Sequence, residues 1–487
     1  MLPYTPLHHL ILKRMNRPIV LTSGNLSNEP QCIDNDEARE KLGKITDYFL
    51  FHNRQIVNQV DDSVVRVVGD KVQIVRRARG YAPAPIHLPP GFHRVPQILA
   101  MGSELKNTFC LLQDTKAIIS QHLGDLENAV SFRAYQDMLN LYLNLFEYKP
   151  EAIAVDLHPE YLSTKLGKEL ASVREEGYSK TVPLLYIQHH HAHIAACMVE
   201  NGVPIDSSPV LGVAFDGLGY GEDGTLWGGE FLLADYRQFK RLATFKPVAM
   251  LGGKQAIKEP WRNTYAQLIS SFSWEYLKQN YGNLEIIKFL EQKPLQILDR
   301  VIEKQINSPK TSSVGRLFDA VAAAIGICPE KCSYEGQAAM ELEAVCDPAS
   351  AVKLPADRTL LNNSTKTFGY SFTIELIDKL YNINSSTMWQ ALLNDLQQQV
   401  PQSIIAAKFH LGLANIVVKI VKLLCQENHI NCVALSGGVF QNRILLEQVT
   451  TKLEVLNIKV LTHSLVPTND GGLSLGQAAI AAALQKS

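Results

Sequence analysis

One arrangement of strands and helices occurs twice in this sequence, and it limits the possible folds more than any other feature. The first copy leads from an apolar run into Gly102, and its later elements are expected at Thr108–Leu112, Ala117–Ser120, Ala129–Phe146 and Ala152–Val155. The second copy leads from Val210–Phe215 into Gly217, and its later strands are expected at Phe231–Ala234 and Cys432–Leu435. Each copy combines a glycine-turned hairpin with a following helix and strand, which indicates an α/β fold.

Duplication of this unit predicts a ribonuclease-H-like domain with two halves, by analogy with the actin, hexokinase and chaperone-ATPase superfamily. We expect the halves at about 97–205 and 206–487 of a domain that spans 91–487, with a nucleotide cleft between them. The proline-rich segment 83–96 is unsuited to helices and central strands, and it marks the boundary before this domain. Residues 1–90 contain short α/β elements, with a strand expected at Pro18–Thr22 and a helix from about Asp34 to Leu42, and are expected to form part of a domain.

The composition is that of a soluble globular chain and argues against several kinds of partner. The 487 residues are 46% hydrophobic and 20% charged, and the net charge of −1 gives no bulk attraction for nucleic acid or anionic membranes. We find no basic leader before an apolar segment, and no run of about 18 apolar residues. The eight cysteines are scattered without a close zinc-ribbon pair, so we expect reduced thiols in a cytoplasmic protein.

A run of histidines is the first candidate for chemistry. His189 and His193 are four residues apart, so on a helix they face the same way and could hold one metal ion. Asp216, expected at the tip of a glycine-rich turn, could add an oxygen ligand, and Gly217, Gly219 and Gly221 could let a phosphate approach the backbone. Mixed nitrogen and oxygen ligands suit iron, zinc or manganese. The alternative is a solvated helix face, above all for the histidines at 190 and 191.

Further glycine turns predict contacts with a nucleotide. Gly437 and Gly438 follow a buried strand and precede a helix from about Arg443, where free amides favour phosphate. Asp319 could bind a ribose hydroxyl, and Gly336 is small enough to admit a purine. Each of these motifs also has an alternative explanation as a helix cap, and the same holds for Asp470 beside its two glycines.

Several segments, in this order, resemble the C-terminal half of the HypF family, the carbamoyltransferases of nickel-iron hydrogenase maturation. They are Thr22–Ser27, Val60–Arg66, Arg76–Pro83, His189–His193, the Asp216 segment with Trp227–Glu230, and the later glycine motifs. The resemblance covers nearly the whole chain. It implies the C-terminal part of a YrdC-like domain over residues 1–90, followed by a TsaD-like domain over 91–487.

The resemblance also implies an activity. In that family the YrdC-like domain makes carbamoyl adenylate from ATP and carbamate, and the TsaD-like domain passes the carbamoyl group to the C-terminal cysteine of HypE. Dehydration of that product then supplies the cyanide ligands of the hydrogenase iron. The nucleophile comes from the partner protein, so we expect no catalytic cysteine in this chain.

The resemblance assigns three sets of site residues. The metal set is His189, His193, Asp216 and Asp470. The nucleotide and carbamoyl-adenylate set of the TsaD-like domain is Gly217, Asp319, Gly336, Gly437, Gly438 and Asn442. The adenylate-forming set of the YrdC-like part is Ser23, Asn25, Ser63 and Arg77. For Ser63 and Arg77 the alternative is an ordinary strand with solvated charges.

The chain departs from the family pattern at its N-terminal end. The acylphosphatase-like domain, the zinc-finger-like modules and the first part of the YrdC-like domain have no counterpart here, so we expect either a truncated protein or half of a split protein. A separate chain could then carry the missing domains, and transfer from supplied carbamoyl adenylate is more plausible than its synthesis. Residues 1–90 should expose apolar surface.

Two other functions compete with this hypothesis. Threonylcarbamoyl transfer to tRNA is a related reaction, but the near-neutral charge and the lack of a basic, aromatic-rich surface argue against it. The second is a non-catalytic scaffold that binds a nucleotide and a HypE-like partner.

Overall fold

The computed structural model describes residues 3, 5–27, 29–69, 71–172, 182–346 and 369–486. The helices are α1 Pro6–Met15, α2 Asn35–Leu42, α3 Ala129–Leu145, α4 Leu162–Ser172, α5 His189–Glu200, α6 Gln255–Lys258, α7 Trp261–Ile269, α8 Trp274–Tyr281, α9 Glu285–Glu291, α10 Leu295–Glu303, α11 Val314–Ala324, α12 Gln337–Val345, α13 Ser386–Gln397, α14 Gln402–Asn428, α15 Arg443–Val455 and α16 Leu473–Gln485. The strands are β1 Val64–Val68, β2 Lys71–Arg76, β3 Ile86–His87, β4 Ile98–Ala100, β5 Cys110–Gln113, β6 Lys116–Ile119, β7 Ala152–Asp156, β8 Leu184–Ile187, β9 Val210–Tyr220, β10 Leu226–Ala234, β11 Phe239–Phe245, β12 Val248–Ala249, β13 Lys310–Thr311, β14 Thr373–Ile377, β15 Leu380–Asn384, β16 Cys432–Ser436 and β17 Lys459–Leu461.

Two sheets repeat one strand order, which confirms the duplicated ribonuclease-H-like fold. The six-stranded sheet has the order β3-β6-β5-β4-β7-β8, in which β4, β5 and β6 are antiparallel and β4, β7 and β8 are parallel. The nine-stranded sheet contains β11-β10-β9-β16-β17 with the same pattern of directions. Alternation from an antiparallel hairpin to parallel strands requires a helical crossover in each half, as the sequence pattern predicted.

Each half contributes one helix that packs on the sheet of the other half, so the two halves share a hydrophobic core. Helix α5 packs on β9, β10 and β16 of the nine-stranded sheet, whereas the C-terminal helix α16 packs on β4, β5 and β7 of the six-stranded sheet. These two helices also cross each other closely, because a Cβ atom at Gly476 would lie 1.8 Å from the Ala192 carbonyl oxygen. The crossing brings the start of α5 and the segment before α16 to the same place between the sheets.

Residues 5–76 contribute little to the core and expose apolar side chains, as the sequence analysis predicted. Helices α1 and α2 have no buried residue. Strands β1 and β2 form a two-stranded sheet that carries exposed valines. The strand expected at Pro18–Thr22 is wrong: the segment has no strand partner among the described residues, and Val20 is 97% exposed. An apolar run forms a strand only where a neighbour completes its hydrogen bonds.

Within the part of the chain that the structure describes, one helix is long and apolar enough to cross a membrane by length and composition. This helix, α14, has 72% of its most apolar window buried inside the protein. Phe409, Leu413 and Val417 lie in the main hydrophobic core. Burial of this kind is what a central core helix requires.

Candidate functional site

The histidine run begins helix α5 and is buried. The Gln188 side chain accepts a hydrogen bond from the His191 amide and caps the helix at its start. His189 and His193 are 0% and 1% exposed, and both Nε2 atoms point to the same carboxylates. The four-residue spacing therefore places the two rings on one face, as predicted.

Four side chains from three parts of the chain meet at this face. His189 Nε2 lies 3.3 Å from Asp216 Oδ2 and 3.7 Å from Asp470 Oδ1. His193 Nε2 lies 3.6 Å from Asp216 Oδ2 and 3.5 Å from Asp470 Oδ1. One ligand atom from each residue lies within 4.8 Å of the others. The structure thus brings together the whole predicted metal set.

The donor atoms fit a divalent cation. His193 Nε2 is buried and makes no hydrogen bond of good geometry with any described residue. A buried ring nitrogen that makes no hydrogen bond is uncommon. Two imidazoles with two carboxylates are a typical ligand set for a first-row transition metal. The set suits iron, zinc or manganese without distinguishing them.

Contacts among the cluster residues strongly shift their pKa values. Burial alone would lower the pKa of His189, but Asp156 and Asp470 outweigh it and raise that pKa well above its usual value. Burial alone would raise the pKa of Asp216, but His189 and His193 hold that pKa well below its usual range. The Asp216 carboxylate is therefore ionised, which is the form that binds a cation, whereas the His189 ring has to release its proton before it can bind a metal ion.

Asp470 is free to join the cluster because another residue caps the chain there. The Asn469 side chain accepts the Gly471 amide at the start of a 3-10 turn over 470–472. Asp470 Oδ2 instead accepts a hydrogen bond of 2.9 Å from Ser103 Oγ. The helix-cap explanation of Asp470 is therefore wrong.

The other two histidines of the run are also buried, so the solvated helix face is wrong for them too. His190 and His191 are 0% and 4% exposed. His191 Nε2 lies 2.6 Å from the Asp235 carbonyl oxygen. Burial lowers the pKa of both rings, so they are neutral at pH 7.

Asp216 lies within a strand and not at the tip of a turn, which corrects the sequence prediction. Strand β9 continues from Val210 to Tyr220, and its register against β10 shifts between Trp227 and Gly229. A Cβ atom at Gly219 would lie 2.4 Å from His190 Cε1, and one at Gly221 would lie 2.2 Å from Trp227 Nε1. These two glycines make room for rings and not for phosphate, whereas Gly217 has only ordinary contacts around it.

The Gly437–Gly438 turn closes around Asp216. Gly437 has φ 97°, and a Cβ atom there would lie 2.2 Å from the Phe215 carbonyl oxygen. The Gly438 amide donates to Asp216 Oδ1 at 3.1 Å. The turn therefore orients a carboxylate of the cluster, and its glycines are required for this close approach.

Asn442 has little free hydrogen-bonding capacity. Its Oδ1 accepts the Leu445 amide and caps α15, and its Nδ2 lies 2.9 Å from His410 Nε2. One amide hydrogen remains for a ligand. Its role as a nucleotide contact stays a prediction.

Asp319 lies beside Arg316 on helix α11, near Gly217. Arg316 NH1 is 2.9 Å from Asp319 Oδ2, and both side chains are buried. Burial raises the pKa of Asp319 to about 6, although Arg316 beside it acts in the opposite direction. A Cβ atom at Gly217 would lie 3.8 Å from Arg316 NH2 and 3.9 Å from Glu335 Oε1. Gly336 has φ 76° and open space around its Cβ position.

The adenylate-forming set of the YrdC-like part is divided in the structure. Ser23 Oγ donates to Asn25 Oδ1, and Asn25 Nδ2 donates to nearby backbone carbonyls. Ser63 Oγ donates to the Arg79 carbonyl oxygen. None of these hydrogen bonds joins Ser23 or Asn25 to Ser63 or Arg77.

Arg77 is buried, so the solvated charge that was its alternative explanation is wrong. It is 4% exposed and donates to the carbonyl oxygens of Ile119, Tyr81 and Ala84. It also lines a cavity of about 230 Å³ between the β1–β2 hairpin and both halves, together with Val64, Val75, Arg76, Lys106, Thr108, His122, Gln441, Pro467, Asn469 and Gly471. The cavity therefore borders residues on both sides of Asp470.

Sequence reasoning missed two residues that support the cluster. Asp156 Oδ2 lies 2.8 Å from His189 Nδ1, and Ser103 donates to Asp470. Asp156 ends the buried strand β7, and Ser103 follows Gly102 after β4. A polar residue at the carboxyl end of a predicted parallel strand was the signal that could have identified Asp156.

Three family models match the chain. The model described as carbamoyltransferase, Kae1-like domain, second subdomain matches residues 212–477, and the HypF Kae1-like domain matches 93–200. The Sua5, YciO and YrdC model, described as telomere recombination, matches residues 1–78. The domain boundaries near 90 and 205 stay a prediction.

Similar proteins carry the same family name. Carbamoyltransferase HypF of Rhodobacter capsulatus is 40% identical over 99% of this chain and 59% of its own length. A carbamoyltransferase HypF homolog of Cupriavidus necator is 34% identical over 81% of this chain and 93% of its own length. The crystal structure of full-length HypF in the phosphate- and nucleotide-bound form matches with a TM-score of 0.87 and 40% identity, over 100% of this chain and 59% of that one.

The chain thus spans about three fifths of the length of the full-length relatives it matches. One family model covers more than half of the chain, and the Cupriavidus necator homolog is matched over nearly its whole length. The sheet order and the site lie within these matched regions. The chain belongs to the HypF carbamoyltransferase family.

Proposed function

We propose that this chain transfers a carbamoyl group from carbamoyl adenylate to the thiol of a C-terminal cysteine on a HypE-like partner, for the synthesis of cyanide ligands. The observation that carries this proposal is the cluster of His189, His193, Asp216 and Asp470 at the junction of the two halves. The Gly438 amide and the Ser103 hydroxyl hold the two carboxylates in place.

The reaction requires a polarised mixed anhydride and a thiolate. The thiolate sulfur attacks the carbamoyl carbon, the bond from this carbon to the phosphate oxygen breaks, and AMP leaves while the thiol proton passes to solvent. A divalent metal ion held by the four-residue cluster would supply positive charge beside the phosphate and carbonyl oxygens.

The residues of this chain orient the adenylate. Gly217 leaves space beside Asp216, Gly336 has open space around it, and Asp319 would offer a carboxylate to a ribose hydroxyl. Because Gly217 lies within strand β9 and Asp319 within helix α11, these rigid elements would hold the acyl group in one orientation for attack. The buried cysteines Cys110 and Cys197 have raised pKa values because of burial, which suits a nucleophile that comes from the partner.

We assign the YrdC-like part a supporting role in this chain. Adenylate synthesis from ATP would involve Ser23, Asn25, Ser63 and Arg77. The chain would then act in the cytoplasm, with no nucleic-acid or membrane partner.

Intact-mass spectrometry of the partner tests the proposal. The partner is incubated with this chain, a divalent metal and presynthesised carbamoyl adenylate, and a gain of one carbamoyl group is expected. Removal of the partner's terminal cysteine should abolish the gain. A folded, metal-loaded chain that gives no gain would contradict transfer and favour the scaffold.

The histidine ligands provide the matched variant. His189→Ala combined with His193→Ala should remove bound metal and transfer, while the circular dichroism spectrum stays unchanged. His93→Ala, at an exposed histidine, should keep both. Full transfer by the metal-free double variant would contradict the role of the cluster.

A further inference from the structure

One ion pair crosses from the first half of the domain to the second beside the cleft. Lys106 lies in the loop between β4 and β5, and its Nζ contacts Glu335 Oε2 in the loop before α12. The two side chains are 34% and 37% exposed, so both can reach solvent as well as each other. Neither residue belonged to any predicted site.

Lys106 lines the cavity, and its charge interacts with that of Asp470 in the cluster. It lines the cavity together with Asn469 and Gly471, the two neighbours of Asp470 in the chain. Burial alone would lower the pKa of its ammonium group, but Glu335 and Asp470 outweigh it and raise the pKa to about 12. Lys106 is therefore a permanent positive charge at the edge of the cluster.

The backbone of Lys106 is also unusual. It has φ 46°, in the left-handed region that residues with a Cβ atom avoid. The Lys106 amide donates to Asp125 Oδ1 at 2.8 Å, which helps to hold this conformation. Strained conformations that are held by their surroundings occur preferentially at ligand sites.

Glu335 stands where an anionic ligand would be expected. Its Oε1 lies 3.9 Å from the position of a Cβ atom at Gly217, and Arg316 NH2 lies 3.8 Å from the same position. The next residue, Gly336, begins α12 with open space around it. A carboxylate that pairs with Lys106 and borders Gly217, with Arg316 on the same glycine, occupies the kind of position that suits a phosphate group.

We propose that Lys106 binds the phosphate of the adenylate, and that Glu335 pairs with Lys106 only until the nucleotide arrives. This inference rests on the proposed function, because it names a contact for the same substrate. When the phosphate replaces Glu335, Lys106 stays paired with an anion throughout. This replacement costs little free energy, because a partly exposed ion pair is weak and the Glu335 carboxylate can turn to solvent.

The two partners of this ion pair should then have opposite effects on binding. Lys106→Met removes the phosphate contact and should weaken AMP binding about 10-fold. Glu335→Gln removes the competing anion and should strengthen AMP binding about 3-fold. If the ion pair only held the two halves together, both substitutions would instead weaken AMP binding.

Isothermal titration calorimetry of the full chain with AMP and with adenosine tests this inference. Adenosine lacks the phosphate, so its affinity should be the same in the wild-type protein and both variants. Lys254→Met is the matched control, because Lys254 and Glu127 form another ion pair between the halves, with side chains 77% and 50% exposed. This control should leave AMP affinity unchanged.

Equal AMP affinity in wild-type protein and Lys106→Met, or weaker AMP binding by Glu335→Gln, would overturn the inference and leave the proposed function intact. An equal change in adenosine affinity would also overturn it, since the effect would then be structural. Failure of the wild-type chain to bind either ligand would overturn both the inference and the nucleotide part of the proposed function.

Discussion

At the scale of single residues, the cluster depends on groups outside the four proposed metal ligands. Asp156 holds the Nδ1 side of the His189 ring, so the Nε2 side faces Asp216 and Asp470. Ser103 holds one oxygen of Asp470 and leaves the other for the cluster. Such supporting residues fix the tautomer and orientation of metal ligands.

Asp156→Asn should therefore weaken metal binding by about 10- to 100-fold without unfolding the protein. The amide keeps the shape of the carboxylate but loses the charge that orients the imidazole. Metal affinity can be measured by competition with a chelator of known affinity. Glu160→Gln, at an exposed carboxylate, is the control. Unchanged affinity in Asp156→Asn would contradict the orienting role.

Asp319 should make the free energy of unfolding depend on pH. Its pKa of about 6 lies above the model-compound value of 3.8, so the folded state binds this proton more tightly than the unfolded state. The wild-type protein should thus lose stability relative to Asp319→Asn as the pH rises from about 4 to about 6, by about 3 kcal/mol in total, and show no further relative change above that.

Urea unfolding of both proteins across this pH range measures the difference. In the folded protein the ionised form of Asp319 is disfavoured, because the positive charge of Arg316 only partly offsets the cost of burying the carboxylate. A difference that stays constant from pH 4 to pH 7 would contradict the raised pKa.

At the scale of elements, the site is made where two helices cross. Helix α5 presents His189 and His193, and the segment before α16 presents Asp470. Gly476 on α16 lies against the Ala192 carbonyl oxygen on α5, so the distance between the helices sets the distance between the ligands. Close packing of the two helices therefore determines the geometry of the cluster.

Gly476→Ala should destabilise the protein by about 1 to 3 kcal/mol and weaken metal binding as well. The new methyl group would collide with the backbone of α5 and push the two helices apart. Leu484→Ala, at a 46% exposed position on the same helix, should change stability by less than about 0.5 kcal/mol. Chemical denaturation and metal titration give the two readouts, and a stable variant with wild-type metal affinity would contradict this account.

At the scale of the whole molecule, the N-terminal part is held to the TsaD-like domain by polar contacts. Arg66 on β1 pairs with Glu343 on α12 and donates to the Gln441 carbonyl oxygen. The Gly69 amide donates to Glu447 on α15. These contacts cover one side of the cavity with the β1–β2 hairpin.

Arg66→Ala should loosen this hairpin without affecting the core. Hydrogen exchange of the β1–β2 amides, followed by mass spectrometry, should become faster, whereas exchange in α5 and α16 should stay unchanged. Arg39→Ala, which removes an exposed ion pair with Asp36, should leave the hairpin unaffected. Unchanged exchange in Arg66→Ala would show that the hairpin is held by other contacts.

Features that depend on a local pattern can be predicted from the amino-acid sequence alone. The duplicated strand order follows from hairpin and crossover signals, and the helical spacing of His189 and His193 fixes a common face. Helix α2 begins after the N-cap Asp34 and α15 after the N-cap Asn442, close to the predicted starts near 34 and 443. These features need only neighbouring residues, so periodicity and capping reveal them.

Which distant residues meet depends on the tertiary packing. Asp156 behind His189, Ser103 beside Asp470 and the burial of His190 and His191 depend on how the two sheets and the crossing helices pack. The same packing showed Asp216 inside strand β9, where the pairing with β10 overrides the turn tendency of its glycines. Contacts between residues far apart in the chain arise from the register of sheets and helices, which a local pattern does not encode.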